Sequence, residues 1–141
     1  MVTAAQNKIE NNYKILNAFL ENNPQYKELA DIFNKFLYKK NKCLCEIAVG
    51  DCKSKCFKRY LTSTVREFNV FLSSFKSKPK YIIKNRFDTI VEFNLAMISN
   101  VHTNIEKYED GRIFSYNIAF TYNQKDCSID YNIRFVDSSN E

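Results

Sequence analysis

Residues 114–122 read FSYNIAFTY, and large apolar or aromatic side chains occupy every second position. A period of two is typical of an extended strand with one buried face. Residues 127–135, CSIDYNIRF, repeat the pattern after the polar turn NQKD. The two stretches therefore predict antiparallel neighbouring strands.

The same alternation begins well before these strands. One face of residues 87–97 is mostly apolar, which predicts a single long strand with Phe87, Thr89, Val91, Phe93, Leu95 and Met97 on that face. Residues 101–108 predict a further strand. The Asp110-Gly111 pair that follows suits a tight hairpin turn, because such turns need positive φ angles.

The first forty residues follow the helical period instead. Thr3 and Gln6 have the T-x-x-Q form of a capping box, and apolar residues then recur at spacings of three and four, which predicts a helix over residues 4–21. Asn23-Pro24 is a typical start for a second helix, which we expect to fade near Lys39. Residues 43–49 alternate and predict a short strand.

Residues 53–75 return to spacings of three and four, which predicts a third and longest helix. Its apolar stripe comprises Phe57, Leu61, Val65, Phe68, Leu72 and Phe75. Pro79 ends it, because proline disfavours helical geometry in the residue before it. We expect this stripe to be buried against the sheet.

Helices followed by an antiparallel meander make a single α+β domain over residues 1–141, with residues 137–141 as a frayed tail. Strand twist accumulates, so we expect the sheet to curve and the helices to pack in its concave face. This element order resembles the nuclear transport factor two-like superfamily of cone-shaped domains. Residues 28–33 are similar to its second helix, residues 43–49 to its first strand and residues 88–136 to its curved sheet.

The resemblance implies several functional classes, since some members are enzymes, some bind small ligands inside the cone and many bind proteins. Three inward-facing tyrosines, Tyr116, Tyr122 and Tyr131, could line such a ligand pocket. The alternative is an aromatic core that fills the cone.

Composition excludes a disordered or collagen-like chain, because 21 of the 141 residues are Phe or Tyr and only two each are Gly and Pro. No apolar run of 18 residues is present, so we expect no membrane span. Charge is uneven: residues 35–86 hold 14 basic and 3 acidic residues, a net charge of +11. Five cations near the C-terminal end of this basic segment could contact phosphates: Lys76, Lys78, Lys80, Lys84 and Arg86. Tyr60 or Tyr81 could stack on bases, and the alternative is an ordinary solvated face.

Four cysteines lie within 14 residues, at Cys43, Cys45, Cys52 and Cys56. We expect a disulfide that joins Cys43 or Cys45 to Cys52 or Cys56, which would place the chain in an oxidising compartment. Reduced, buried thiols are the alternative. Zinc fits poorly, because the C-x-C spacing differs from the usual ligand spacing.

Catalytic groups are scarce in this sequence. His102 is the sole histidine and alternation places it on the solvent side of its strand, so we expect no catalytic residues, metal or cofactor. The leading hypothesis is a non-enzymatic interaction domain that binds a protein partner or a small apolar ligand. Nucleic-acid binding through the basic central segment is the alternative. Compartment and oligomeric state are not predicted.

Overall fold

The computed structural model describes residues 3–39, 41–51, 59–86, 88–125 and 128–137.

The N-terminal helix begins with the predicted capping box. The Gln6 N–H donates to the Thr3 hydroxyl at 3.1 Å, and the Thr3 N–H donates to the Gln6 side-chain oxygen at 2.9 Å. Helix α1 (Ala4–Asn22) follows, then a 3₁₀ turn (Pro24–Tyr26) and helix α2 (Lys27–Asn34). The two predicted N-terminal helices are therefore confirmed, although α2 ends before Lys39.

Seven strands make one antiparallel sheet. In chain order they are β1 (Asn41–Asp51), β2 (Arg59–Phe75), β3 (Lys78–Lys84), β4 (Thr89–Asn94), β5 (Ile98–Lys107), β6 (Ile113–Asn123) and β7 (Ser128–Val136). Their order in the sheet is β4-β3-β2-β1-β7-β6-β5. The predicted α+β class, with helices before a mainly C-terminal antiparallel sheet, is confirmed.

The predicted third helix is wrong. Residues 59–75 form the long strand β2, and residues 53–58 lie outside the described residues. The register explains the error: Cys45 pairs with Val65 and Asn41 with Phe68, so four steps along β1 match three along β2. The extra residue therefore lies in β1, between Asn41 and Leu44, and opposite it the β2 backbone is irregular at Glu67, whose φ is +56°. This irregularity accounts for the spacing of three between the apolar residues Val65 and Phe68, which was interpreted as helical.

The strand predicted over residues 87–97 is confirmed only for residues 89–94, and Phe87 lies outside the described residues. Strand β4 ends at Asn94, whose side chain accepts the N–H of Ala96 at 2.9 Å and so opens a 3₁₀ turn at Leu95–Met97. Leu95 is fully buried in this turn. Strand β5 then starts at Ile98. Met97, predicted on the same face as Leu95, is 37% exposed, and the next buried residue is Ile98, so the buried positions shift by one at this corner.

That corner shows how strongly the sheet curves. Strands β4 and β5 lie at opposite ends of the sheet order, yet only three residues connect them. The rings of Phe93 on β4 and Phe120 on β6 are 4.8 Å apart, across the concave side. Accumulated strand twist has therefore brought the two edges of the sheet to one corner.

Both helices pack on this concave side. The Phe33 ring of α2 lies at its centre, 4.8 Å from Tyr81, 5.3 Å from Phe93 and 5.8 Å from Phe135. On α1, the buried Asn12 amide donates to the Leu72 carbonyl at 3.2 Å. Such buried polar groups need partners, so this hydrogen bond fixes where α1 crosses β2.

The β5–β6 hairpin uses the predicted glycine in a different turn. The Gly111 N–H donates to the Tyr108 carbonyl at 3.0 Å, and the Tyr108 N–H donates to the Arg112 carbonyl at 2.8 Å. Gly111 has a φ of +89°, whereas Asp110 is not among the residues with positive φ. The connection is therefore a three-residue loop with a glycine bulge, rather than a two-residue turn.

Candidate functional site

The basic segment lies on β3, and its lysines share one face of the sheet. Tyr81 and Ile83 point to the concave side and are fully buried. Lys78, Lys80 and Lys84 occupy the alternate positions, where Lys78 and Lys84 are exposed. Because a strand alternates, these three cations lie on the convex side of the sheet.

Lys76 stands beside them in a tight turn. The sequence analysis treated this segment as a loop after a helix, whereas the structure has Lys76 and Ser77 as the two central residues between β2 and β3. Their φ angles are +50° and +61°. Two successive positive φ angles are typical of a type I′ hairpin turn, whose backbone twist matches the twist of the flanking strands. The turn therefore holds Lys76 at a fixed corner of the sheet.

Two aromatic residues of β2 lie on the same convex face. Phe75 pairs with Lys78, and Phe71 pairs with Ile82, which lies between Lys80 and Lys84 on the same face of β3. Phe75 is 59% exposed. The lysines approach both rings from above, since Lys76 Nζ is 5.4 Å from the Phe75 centroid and Lys84 Nζ is 5.5 Å from that of Phe71. We call the surface formed by Phe71, Phe75, Lys76, Lys78, Lys80, Ile82 and Lys84 the basic–aromatic face.

The other residues singled out with these lysines are placed differently. Lys80 Nζ lies 3.3 Å from a Glu92 carboxylate oxygen, so its charge is partly balanced. Arg86 is exposed in the β3–β4 connection. Tyr81 has no exposed surface, so the prediction that it could stack on bases is wrong. The side chain of Tyr60 lies outside the described residues.

The three pocket candidates lie at two separate places. Tyr131 stacks on Phe120 at 5.4 Å and meets the edge of Tyr122 at 6.2 Å. Tyr116 lies instead near the end of α2, with its ring 5.9 Å from that of Phe36. Burial raises the pKa of Tyr131 above its ordinary value. The pocket role of these tyrosines stays a prediction.

Tyr116 lines a small recess at the end of the sheet. The recess has a volume of about 140 Å³, and its walls include Phe36, Phe135 and the half-buried Cys43. Burial is the main reason that the pKa of the Cys43 thiol is raised. A raised pKa keeps the thiol protonated and weakly nucleophilic, so the recess presents an apolar wall rather than a reactive group.

Cys43 and Cys45 are free thiols in the structure. Cys45 is fully buried, and burial raises its pKa. Cys52 and Cys56, the other ends of the predicted disulfide, lie outside the described residues. From Cys45, β1 runs six residues to Asp51, or about 20 Å at roughly 3.3 Å per residue, whereas a disulfide needs Cα atoms within about 7 Å. The described geometry therefore gives the predicted disulfide no support.

A groove separates α2 from β5. Its volume is about 370 Å³, and it is lined by Glu28, Asp31, Ile32, Lys35, Thr103, Asn104 and Ile105. The Thr103 hydroxyl donates to the Glu28 carboxylate, and the Tyr26 hydroxyl donates to the Ile98 carbonyl at 2.7 Å. These two contacts hold the helical segment at a fixed distance from the strand. Ile105 is 45% exposed within the groove.

The convex face of β5, β6 and β7 is polar. His102 is exposed there, beside a depression of about 350 Å³ that Asp130 and Asn132 also line. Further along, the Glu106 carboxylate accepts hydrogen bonds from Ser115 and Asn117, both at 3.0 Å. These hydrogen bonds, with weaker help from Arg134, hold the pKa of Glu106 below its ordinary value. The sequence analysis missed this network, because its members come from separate strands whose register was unknown.

No family model, curated protein or solved structure matches this chain. Among the described residues, no helix is long and apolar enough to cross a membrane. Within that same part of the chain, no three His, Cys, Asp or Glu side chains are grouped as metal ligands would be. Two surfaces of the described residues are candidates for a binding function, the α2–β5 groove and the basic–aromatic face.

Proposed function

We propose that this chain is a non-enzymatic interaction domain that binds an extended segment of a protein partner along the edge of β5. The observation that carries the proposal is the position of the α2–β5 groove. Strand β5 is the last strand of the sheet and, within the described residues, pairs with β6 alone. Its second row of backbone N–H and C=O groups therefore has no strand partner among the described residues, as in domains that bind peptides by adding a strand.

The length of β5 supports this role. An edge strand of ten residues without proline is a template for further pairing, and proteins usually shorten, charge or cover such edges. The bulge between Ser99 and His102 and the charged pair Glu106 and Lys107 protect its two ends. Between them, Thr103 and Ile105 lie where a partner strand would meet the helix.

The lining of the groove indicates which peptide it would take. Glu28 and Asp31 place two carboxylates along the helix side, against one cation from Lys35. Lys27 pairs with Asp31 at 2.7 Å, but both side chains are largely exposed, so this ion pair is weak and easily exchanged. Ile105 offers an apolar contact. The partner segment is therefore an extended peptide with a basic residue opposite the carboxylates and an apolar residue opposite Ile105.

A small apolar ligand is the weaker candidate. The recess beside Tyr116 has only about 140 Å³, whereas ligand pockets usually have about 300–1,000 Å³. The groove, with about 370 Å³, is open to an extended chain.

We also propose that the fold is a variant of the nuclear transport factor two-like cone. Two helices before a curved antiparallel sheet support this assignment. Strand β2, in the place of a third helix, is a departure from the element order on which the resemblance was based. Fold membership alone does not assign a partner, so the functional proposal depends on the groove.

The test uses a displayed library of random decapeptides selected on the whole domain. Selected peptides should carry Lys or Arg beside an apolar position, and their binding should protect the amide hydrogens of residues 101–107 from exchange. Ile105→Ser should weaken the binding of selected peptides about tenfold, since roughly 1.4 kcal/mol of apolar contact corresponds to a factor of ten.

Met97→Ser is the matched control, because Met97 is also an exposed apolar residue but lies at the β4–β5 corner. It should leave the affinity of the peptides unchanged. Equal losses from the two variants, or protection confined to other strands, would contradict the proposal. So would a stable dimer that protects the same β5 amides without peptide, because a second copy would then occupy the edge.

A further inference from the structure

The basic–aromatic face lies on β2 and β3, whereas the peptide groove lies on β5 at the opposite end of the sheet order. Its members come from two neighbouring strands and the turn that joins them, so they form one continuous surface. Four of its seven side chains are lysines, and among the described residues Glu92 forms an ion pair with one of them, Lys80. The local net charge is therefore about +3, which attracts a polyanion.

The cations form a row along β3. Lys78 and Lys80 are two residues apart on β3, which corresponds to roughly 6.6 Å, and Lys80 and Lys84 are about 13 Å apart. Lys76 extends the row beyond the end of the strand. A row of cations along one strand suits a ligand whose charges repeat along a chain.

The aromatic rings specify what kind of polyanion fits. Phe71 and Phe75 are four residues apart on β2, or about 13 Å, and both face the convex side beside the lysines. Each ring becomes a stacking platform for an unpaired base when the lysine over its face turns to a phosphate, and such a stack tolerates any base. Within a duplex the bases stack on each other, so rings on the outer face of a sheet cannot reach them.

We propose that the basic–aromatic face binds single-stranded nucleic acid, with phosphates on Lys76, Lys78, Lys80 and Lys84 and bases stacked on Phe75 and Phe71. Each ring has a lysine head group within 5.5 Å. A nucleotide stacked there gains a platform for its base and a counterion for its phosphate at the same place. An anionic bilayer is the less suitable ligand, since Phe71 is half-buried and Phe75 alone offers little apolar surface for insertion.

The test measures fluorescence polarisation of a labelled 20-nucleotide oligothymidylate or oligouridylate with the whole chain, from 50 to 150 mM salt. Four phosphate contacts on a single strand give a slope of log K against log salt near −2.8, since each contributes about −0.7. Binding should therefore weaken about twentyfold over that range. Duplex DNA of equal length should compete poorly.

Two variants separate charge from stacking. Replacement of Lys76, Lys78 and Lys84 by Glu should abolish binding at 150 mM salt. At low salt it should reduce the magnitude of the slope of log K against log salt to about 0.7 or less. Phe75→Ala should weaken binding about tenfold, because a base–aromatic stack is worth roughly 1–3 kcal/mol, and should leave the slope unchanged. Thermal melting of each variant checks that the domain remains folded.

The matched control reverses the same number of charges elsewhere, with Lys8, Lys107 and Lys125 replaced by Glu. All three are exposed and lie outside the face. This control should change the affinity less than threefold. An equal loss in the control, no effect of Phe75→Ala, or no binding at 50 mM salt would overturn the proposal. Binding to phosphatidylserine vesicles with the same lysine and Phe75 dependence, but not to either oligonucleotide, would assign the face to a membrane instead.

Discussion

Tyr81 combines complete burial with a hydroxyl group that needs a partner. Its ring has no exposed surface and stacks on Phe33 at 4.8 Å. The hydroxyl donates to the Asn34 side-chain oxygen at 2.8 Å, so the polar atom is satisfied at the end of α2. Burial, more than any neighbouring charge, raises the pKa of Tyr81 above 10.0. The same residue therefore joins β3 to α2 and makes the fold sensitive to alkali.

Tyr81→Phe should reduce the loss of stability at high pH. The folded protein keeps the Tyr81 proton at pH values where the unfolded chain, with a pKa near 10.0, releases it. The unfolded state then binds fewer protons, so the free energy of unfolding is fully retained below pH 10 and falls above it. One such group contributes a slope of about 1.4 kcal/mol per pH unit. Urea unfolding between pH 7 and pH 11 measures the difference between wild type and variant.

The comparison at pH 7 is the internal control. There the variant should be about 1 kcal/mol less stable, because Asn34 loses its hydrogen-bond donor. The two stability curves should then converge above pH 10. Curves that stay parallel through pH 11 would show that Tyr81 does not remain protonated in the folded state.

At the scale of elements, the β2–β3 hairpin shows which features the sequence could and could not reveal. The capping box, the Asn23-Pro24 start of the second helical segment and the alternation of β6 and β7 are local signals, and the predictions based on them are confirmed. Strand β2 was misassigned because the irregular register at Glu67, opposite the extra residue of β1, shifts its buried face by one residue. Such a register is set by pairing with β1, and pairing cannot be observed in one sequence.

The same error hid the candidate site. The sequence analysis named all four lysines of the basic–aromatic face, but it placed Phe71 and Phe75 on a helix. On a helix these two aromatic residues would not share a face with alternate residues of β3. Only the register of β2 against β3 brings Phe75 beside Lys78.

Ser77→Gly should stabilise the hairpin turn by about 0.5–1 kcal/mol. Ser77 has a φ of +61°, where a side chain costs about 1–2 kcal/mol and glycine does not. Part of that gain is lost because glycine is more flexible in the unfolded chain. The midpoint of urea unfolding should rise without a change in the dependence on urea concentration.

Ser77→Ala is the control for this substitution, since it removes the hydroxyl but keeps the β-carbon. It should not stabilise the protein. A gain from alanine equal to that from glycine would mean that the positive φ is not the source of strain. Lys76 is left unchanged in both variants, so the nucleic-acid experiments can be repeated on them.

At the scale of the whole molecule, aromatic rings fill the concave side of the sheet. The Phe68 ring is stacked 5.5 Å from Phe135 of β7 and lies 6.0 Å from Phe36, which follows α2. Phe36 in turn stacks on Phe135 at 4.3 Å. Strands distant in sequence are thus joined to the helical layer through these rings. The curvature of the sheet and the packing of the helices depend on the same cluster.

Phe68→Ala and Phe75→Ala together test this architecture against the helix that the sequence suggested. Seven residues separate the two phenylalanines, which places them on one face of a helix but on opposite faces of a strand. Phe68 is fully buried and Phe75 is 59% exposed. Phe68→Ala should therefore reduce the free energy of unfolding by about 3–5 kcal/mol, through lost burial and a cavity, whereas Phe75→Ala should change it by less than about 0.5 kcal/mol. Urea unfolding at pH 7 measures both, and similar losses from the two variants would favour a helical stripe and reject the strand register on which both proposed surfaces depend.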